Sequence, residues 1–225
     1  MVDEVLDTNI VKIIGRIEET ISFSHEMYGE GFYNFQLEVP RLSDSVDILP
    51  VTISERLIVN MDLSIGSYVE ICGQLRSYNR YVNSSSKLVL TVFARDIRVV
   101  EDEDEIKELL KAPNEIYLDG YICKTPIYRT TPFGREISDL LMAVNRPYNK
   151  SDYIPCIAWG RNARFCEKLL IGDHIKIWGR IQSREYQKKY STEKVETKIA
   201  YEVSISKLEY IENDNNRLET SKDEA

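Results

Sequence analysis

The segment GDHIKIWGRIQS (172–183) repeats the pattern of GSYVEICGQLRS (66–77) after 106 residues, and this repeat decides the fold. The same shift aligns VLTVFARDIRV (89–99) with VETKIAYEVSI (195–205). An offset that stays nearly constant over about 90 residues is too long for a solenoid repeat and fits a duplicated small domain. The chain of 225 residues is therefore predicted to hold two tandem copies of one fold.

Each copy is predicted to be built from β-strands. In the second copy, three segments alternate apolar and polar residues and two are apolar β-type runs, as strands do. In chain order the five segments are EIYLDGYICKTPIY (115–128), SDLLMAVNR (138–146), YIPCIAWG (153–160), HIKIWGRIQSREY (174–186) and KIAYEVSISKLEYI (198–211). Between the third and the fourth lies RNARFCEKLL (161–170), a short helix that Gly172 ends.

Five short strands with one helix after the third describe an OB-fold barrel. Glycines interrupt the first and fourth strands of both copies, at Gly15, Gly120, Gly73 and Gly179. A glycine inside a strand permits the sharp bend that a small closed barrel needs. We therefore predict an all-β fold class, with two tandem OB-fold five-stranded barrels and one short helix per domain. A β-sandwich is the alternative, but it needs more strands than each copy supplies.

Charge divides the chain into the same parts. The net charge is −8, yet residues 114–211 carry 16 Lys and Arg against 12 Asp and Glu, whereas residues 1–99 have a net charge of −5. The acidic segment EDEDEIKELLKAP (101–113) is expected to make one or two helical turns before Pro113. The predicted domains are an N-terminal degenerate OB-fold (1–100), an acidic linker (101–113), a C-terminal OB-fold (114–211) and a disordered acidic tail (212–225).

Composition disfavours several classes of function. No apolar run approaches the ~18 residues of a membrane span, and the acidic N-terminus is unlike a signal peptide, so we expect a cytoplasmic protein. Four cysteines without a C-x-x-C pair and two histidines lack the spacing of a metal site, and buried thiols in a reducing compartment are expected instead. No catalytic or phosphate-cradling motif is found, so we predict neither an enzyme nor a cofactor.

Several short motifs in the second copy form a recognisable set. They are the turn Thr-Pro-Phe-Gly (131–134), the strand end Ala-Val-Asn-Arg (143–146), Trp159, Ala163 and the run from Gly172 to Arg184. Over about residues 114–211 the chain thereby resembles the bacterial single-stranded-DNA-binding protein family, which the first copy matches only through the duplication. The resemblance implies sequence-independent binding of single-stranded DNA, which protects that DNA in replication, recombination or repair at the nucleoid.

Binding a single strand needs flat aromatic faces for bases and cations for phosphates. The resemblance implies four stacking residues, which are Tyr148, Tyr153, Trp159 and Tyr186. The cations interleaved with them complete the predicted DNA-binding set: Arg146, Lys150, Arg161, Arg180, Arg184, Lys188, Lys189, Arg129 and Arg135. Of these, Lys188 and Lys189 are expected in the long loop before the fifth strand. The alternatives are ordinary packing for each ring and a solvated surface position for each cation.

Trp178 has the opposite parity from Ile175 and Ile177, so we expect it outside the barrel in a contact between domains or subunits. The first copy lacks the aromatic platform, because Ser43, Ile48, Ser54 and Arg80 align with the four stacking positions. It is therefore predicted to be chiefly structural.

The family usually assembles four OB-folds, so the resemblance implies a homodimer. It does not extend to partner recruitment by the tail, which ends Lys-Asp-Glu-Ala instead of in a short apolar peptide. An RNA-binding OB module and a protein-interaction scaffold are the alternative functions.

Overall fold

Strand pairing closes the chain into two rings. The structure is a computed structural model that describes residues 8–82, 85–189 and 195–212. The first half forms β1 (Asn9–Ile17), β2 (Ser22–Met27), β3 (Glu30–Pro40), β4 (Val46–Ser54), α1 (Glu55–Ile58), β5 (Tyr68–Val82) and β6 (Ser85–Val99). After α2 (Glu103–Leu109), the second half forms β7 (Asn114–Thr130), β8 (Glu136–Arg146), β9 (Lys150–Trp159), α3 (Arg161–Cys166), β10 (His174–Lys189) and β11 (Val195–Ile211).

The first ring runs β1-β5-β6-β4-β3 and returns to β1, where Arg16 pairs with Glu38 and Ile17 with Leu37. The second ring runs β7-β10-β11-β9-β8 and returns to β7. Each ring has five strands, and a short helix follows the third of them. This arrangement confirms the predicted tandem OB-folds, with the apolar inner faces of the strands forming the core.

One strand was not predicted. The segment SFSHEM forms β2, which pairs with β3 through a hairpin whose tip, Tyr28 and Gly29, has positive φ. All six residues of β2 are exposed, so no apolar alternation marks it in the sequence. The strand widens the outer surface of the first ring beyond the five-stranded barrel.

Two of the in-strand glycines sit where the fourth strand of each ring bends. The register of β10 against β11 shifts between Trp178 and Gly179, and that of β5 against β6 shifts between Cys72 and Gly73. A Cβ on Gly179 would overlap the carbonyl oxygen of Ser204. Glycine is therefore required at this bulge because the neighbouring backbone approaches too closely for any side chain.

The two rings are joined by antiparallel pairing of their first strands. Asn9 pairs with Leu118 and Ile13 pairs with Asn114, with Val11 opposite Ile116 at the centre. The 105-residue shift that relates the copies maps Asn9 onto Asn114 and Ile13 onto Leu118. The pairing is thus self-complementary, as in an isologous dimer interface, and a local two-fold axis relates the rings.

Two buried aspartates repeat this symmetry across the junction. Asp47 on β4 and Asp152 on β9 are both completely buried. The backbone N–H of Ser183 on β10 donates to Asp47 over 2.7 Å, and that of Ser77 on β5 donates to Asp152 over 2.6 Å. Each carboxylate of one ring is therefore satisfied by the fourth strand of the other ring.

Arginines complete both junction sites. Asp47 accepts from Arg41 of its own ring over 2.6 Å and from Arg180 of the other ring over 3.0 Å. Asp152 lies 3.2 Å from Arg146 of its own ring and 3.2 Å from Arg76 of the other. A buried carboxylate is tolerated only when charges and hydrogen bonds of this kind replace water.

The linker helix α2 is as short as the acidic segment suggested. The Asp102 side chain caps it by accepting from the N–H of Glu105 over 2.8 Å. The carbonyl of Pro113 then accepts from the N–H of Ile14 over 2.9 Å, which ties the end of the linker to β1. Within the described residues, no helix is long and apolar enough to cross a membrane.

We expect Asp152→Ala to lower the free energy of unfolding by about 3–5 kcal/mol, because it leaves two arginines and the Ser77 N–H without their buried acceptor. Urea unfolding followed by circular dichroism measures the loss. The control is Asp139→Ala, which removes a solvent-exposed pair with Arg129 and should cost about 0.2–1 kcal/mol. Equal losses in the two variants would contradict the junction's assigned role.

Candidate nucleic-acid interface

The outer face of β9 carries two of the predicted stacking residues. Inward-facing Ile154, Cys156 and Ala158 are buried in the core, whereas Tyr153 and Trp159 are 47% and 39% exposed. At about 3.3 Å per residue, the side chains of Tyr153 and Trp159 are separated by roughly 20 Å along the strand. Side chains alternate between the two faces of β9, so both aromatic side chains point to solvent while the buried face holds the strand in place.

Tyr186 lies on β10 and is 36% exposed. It lines a groove of about 240 Å³ together with Pro155 of β9 and Ile199 of β11. The opposite wall belongs to the first ring, where Lys87 and Leu88 of β6 line the same groove. Sequence reasoning missed Lys87 and Leu88, because nothing in the periodicity of β6 indicates that it faces the other ring.

Tyr148 lies in the three-residue connection between β8 and β9 and is 89% exposed. Tyr148 and Asn149 have φ values of 62° and 53°. Positive φ is uncommon for a residue as bulky as tyrosine, so the tight connection holds Tyr148 in a conformation that its own side chain disfavours. Its ring is consequently displayed at the tip of the hairpin.

The predicted cations fall into two groups according to their partners. Arg135, Lys150 and Arg161 are exposed and form no ion pair within the part of the chain that the structure describes. Arg129 and Arg184 are exposed but paired, with Asp139 over 2.9 Å and with Glu202 over 3.4 Å. The first group keeps its charge available to an anion, and the second has that charge partly compensated.

Arg146 and Arg180 lie at the junction between the rings. The guanidinium of Arg180 donates to Asp47 over 3.0 Å and to Gln182 over 2.9 Å, so it has a structural role there. Burial raises the pKa of the Asp152 carboxyl, while the Ser77 N–H and the charges of Arg146 and Arg76 act in the opposite direction. Arg146 thus stabilises a carboxylate that the fold removes from water.

The prediction that Lys188 and Lys189 lie in a loop is wrong for their backbone. The strand β10 continues to Lys189, and the two residues pair with Glu196 and Val195 of β11. The strand predicted from the sequence is too short, because the last residues of β10 are polar and show no apolar alternation. The side chains of both lysines lie outside the described part of the structure.

Trp178 lies on β10 with its side chain partly exposed, as expected for a residue that alternates with the buried Ile175 and Ile177. Its ring centroid is 5.1 Å from that of Tyr117 on β7, and the Nζ of Lys207 on β11 lies 4.3 Å from the Trp178 centroid. Both of these contacts lie within the second ring. A contact between subunits through Trp178 stays a prediction.

The cysteines differ from one another in burial. Cys156 and Cys166 are buried, and burial raises the pKa of the Cys166 thiol to about 12. Cys72 is exposed and Cys123 is half-buried, so the expectation of four buried thiols is wrong for Cys72. Among the described residues, no group of three or more His, Cys, Asp or Glu side chains comes together as metal ligands would.

Comparison with known proteins assigns the family. The model of the single-strand binding protein family matches residues 113–209. Single-stranded DNA-binding protein 3 of Clostridium acetobutylicum is 30% identical over 112 residues, which cover 47% of this chain and 77% of that protein. The chain belongs to the single-strand binding protein family.

Solved structures extend the comparison to the fold. Wild-type single-stranded DNA binding protein from Thermus aquaticus superposes with a TM-score of 0.73 at 20% identity, covering 91% of this chain and 93% of that one. The likeness spans both rings, so the tandem arrangement itself is shared. A further match is the dimeric N-terminal domain of PriB protein from Thermoanaerobacter tencongensis, with 54% identity, 43% of this chain, 100% of that chain and a TM-score of 0.38.

In the native protein we expect Cys72 to react first with a thiol reagent such as DTNB, because it alone is exposed. Cys156 and Cys166 should react only on unfolding, since burial both blocks access and raises the pKa of each thiol. The number and rates of the labelling phases measure this. Cys72→Ser should remove the fastest phase, and a fast phase that survives the substitution would disprove the assignment.

Proposed function

We propose that the protein binds single-stranded DNA without sequence preference through the outer surface of the second ring. Bases stack on Trp159, Tyr153 and Tyr186, while the backbone follows Arg161 and Lys150. Stacking on an aromatic ring tolerates every base, because every base has a π face. The protein acts by covering the DNA strand. The covered strand cannot pair again with its complement, and it is protected from nucleases during replication, recombination or repair.

The observation that carries the proposal is the outer face of β9. Its two half-exposed aromatic rings are held by a strand whose other face is core, and an exposed arginine, Arg161, begins α3 two residues after Trp159. Rigid, partly exposed rings flanked by cations are what a backbone-tracking groove requires. The basic charge of residues 114–211 supports the same surface.

The proposal assigns the protein no catalytic step and no cofactor. It places the protein in the cytoplasm, where unpaired chromosomal or plasmid DNA is exposed at the nucleoid. We further propose that two chains associate, which would present four rings to one strand. Trp178 and Tyr117 offer an aromatic contact surface for this association, and light scattering would detect a particle of twice 26.1 kDa.

Replacing both Trp159 and Tyr186 by alanine should weaken binding of oligo-dT by about 2–6 kcal/mol, at roughly 1–3 kcal/mol for each lost stacking contact. Fluorescence anisotropy with labelled oligo-dT measures the change. Tyr210→Ala is the matched control, since Tyr210 is 45% exposed at the end of β11 and outside the proposed surface. Wild-type affinity in the double variant would eliminate these two residues as the site.

The salt dependence of binding should separate phosphate contacts from junction contacts. We expect Arg161→Gln to reduce the slope of log affinity against log salt by about 0.7, the value for one phosphate on a single strand. Arg180→Gln should leave the slope unchanged but lower the free energy of unfolding, because its guanidinium is bound to Asp47.

A scaffold with no nucleic-acid function would show no slope in the wild type. Competition between oligo-dT and oligo-U then distinguishes DNA from RNA as the preferred ligand.

A further inference from the structure

An apolar groove of about 430 Å³ lies beside α1 on the first ring. Four of the apolar residues that line it also pack against the hydrophobic core: Ile21, Tyr33, Ile58 and Leu63. Two further lining residues are exposed, with Val59 at 73% and Met61 at 38%. The groove is therefore an apolar surface that is continuous with the core but open to water.

The groove lies where the helix of the first ring is shorter than that of the second. In the second ring, α3 places Ala163 and Cys166 in the core, and Leu169 is buried just after the helix. The 106-residue shift maps Asn60 onto Cys166, but α1 ends at Ile58, has no buried residue and leaves Asn60 exposed. The helical turn that covers this part of the second barrel is thus missing from the first.

The added strand β2 extends the apolar surface. Phe23 of β2 is 62% exposed, and its aromatic ring meets that of Tyr33 edge to face, with the centroids 5.7 Å apart. Tyr33 lines the groove, so Phe23 continues the same patch beyond the lining residues. Exposed apolar side chains that join into one patch are typical of an interaction site, whereas isolated ones are common on any protein surface.

The segments on either side of the groove are acidic. Residues 18–31 and 55–67 together hold six Asp and Glu, one Arg and no Lys, which gives a net charge of −5. The single arginine, Arg56, already pairs with Glu30 over 3.2 Å. Negative charge of this density repels the phosphates of nucleic acid and attracts cations. The charge therefore favours a basic occupant.

Glu55 brings a carboxylate to the groove itself. Its side chain lines the groove and is half-buried. A Cβ on Gly31 would lie 2.7 Å from Oε2 of Glu55, so the carboxylate rests against the backbone of β3. Among the described residues this carboxylate has neither an ion pair nor a hydrogen-bond donor, and no cation lines the groove. A partly buried carboxylate gains most from a cation that also donates a hydrogen bond to it.

We propose that this groove docks a segment of a partner protein in which apolar side chains are flanked by lysine or arginine. The apolar side chains bury against Ile58 and Met61, while an ammonium or guanidinium group pairs with Glu55. Apolar anchors in a pocket with charges at its rim are the usual anatomy of a protein interface. The chain's own segment 213–225 is acidic and does not match such a groove.

The proposal does not depend on DNA binding. None of the residues that line the groove belongs to the surface proposed for DNA, which lies on the second ring. The two rings then divide the work, with the basic ring on the DNA strand and the acidic ring on the partner.

The probe is a short fluorescein-labelled peptide of leucine and lysine, in which leucine recurs every three or four residues so that a helix has one apolar face. Fluorescence anisotropy at low salt measures its binding to the full chain. We expect saturable binding. The same peptide with glutamate in place of every lysine should not bind, and one with serine in place of every leucine should bind more weakly.

Two variants of the groove should lose affinity for the leucine–lysine peptide. Glu55→Gln should weaken binding by about 10- to 150-fold, the factor for one hydrogen bond to a charged group. The double variant Val59→Ser, Met61→Ser should weaken it by about 10-fold or more, because it removes apolar area from the contact. Circular dichroism verifies that each variant is folded.

The matched controls lie in the connection between β3 and β4, outside the groove. Asp44→Asn removes an exposed acid, and Leu42→Ser removes an apolar side chain that is 83% exposed. Both control variants should bind the peptide as the wild type does. Wild-type, groove and control chains should all bind oligo-dT with the same affinity.

Equal binding of the lysine and glutamate peptides, or wild-type affinity in both groove variants, would overturn the proposal. A loss of oligo-dT affinity in the groove variants would assign the groove to DNA instead. A smaller particle in sedimentation of the double variant would assign it to an interface between copies of the chain. If the wild type binds the peptide through the groove but does not bind oligo-dT, the docking site stands and the proposed function alone fails.

Discussion

The crossed contacts of two buried aspartates hold the molecule together. Asp47 and Asp152 have no access to water, and each draws a backbone N–H and an arginine from the opposite ring. Removing charge from water is costly, so these contacts form only when the two rings adopt one relative position. The symmetric pairing of β1 with β7 fixes that same position through the backbone. Every surface that spans both rings depends on this geometry.

The junction explains why the rings are not interchangeable as binding surfaces. In the second ring, β9 displays Tyr153 and Trp159, and β6 of the first ring supplies Lys87 as the far wall beside Tyr186. On the first ring, a groove of about 460 Å³ is lined by His25 and Met27 of β2 and by Arg146 of the second ring. Each groove thus borrows residues from the other ring. A single ring on its own would present an incomplete version of either groove.

Local sequence patterns predicted the parts of the fold that depend on short-range chemistry. Alternation predicted three of the five strands of the second ring and apolar runs predicted the other two, while the in-strand glycines, such as Gly179, marked the bulges that bend the barrels. Parity placed Trp178 on an outer face. The strand β2 was not predicted, because all of its side chains are exposed and no buried apolar face marks it in the sequence. The contact of Arg180 with Asp47 could not be predicted, because the two residues are 133 positions apart, a separation at which periodicity carries no information.

Titration with oligo-dT, monitored by tryptophan fluorescence at low salt, tests the central claim most directly. The chain has two tryptophans, and only Trp159 lies on the proposed binding surface. The account predicts saturable quenching that persists in a Trp178→Phe variant and is reversed by added salt. Quenching that disappears with Trp178, or no quenching at any concentration of oligo-dT, would contradict it.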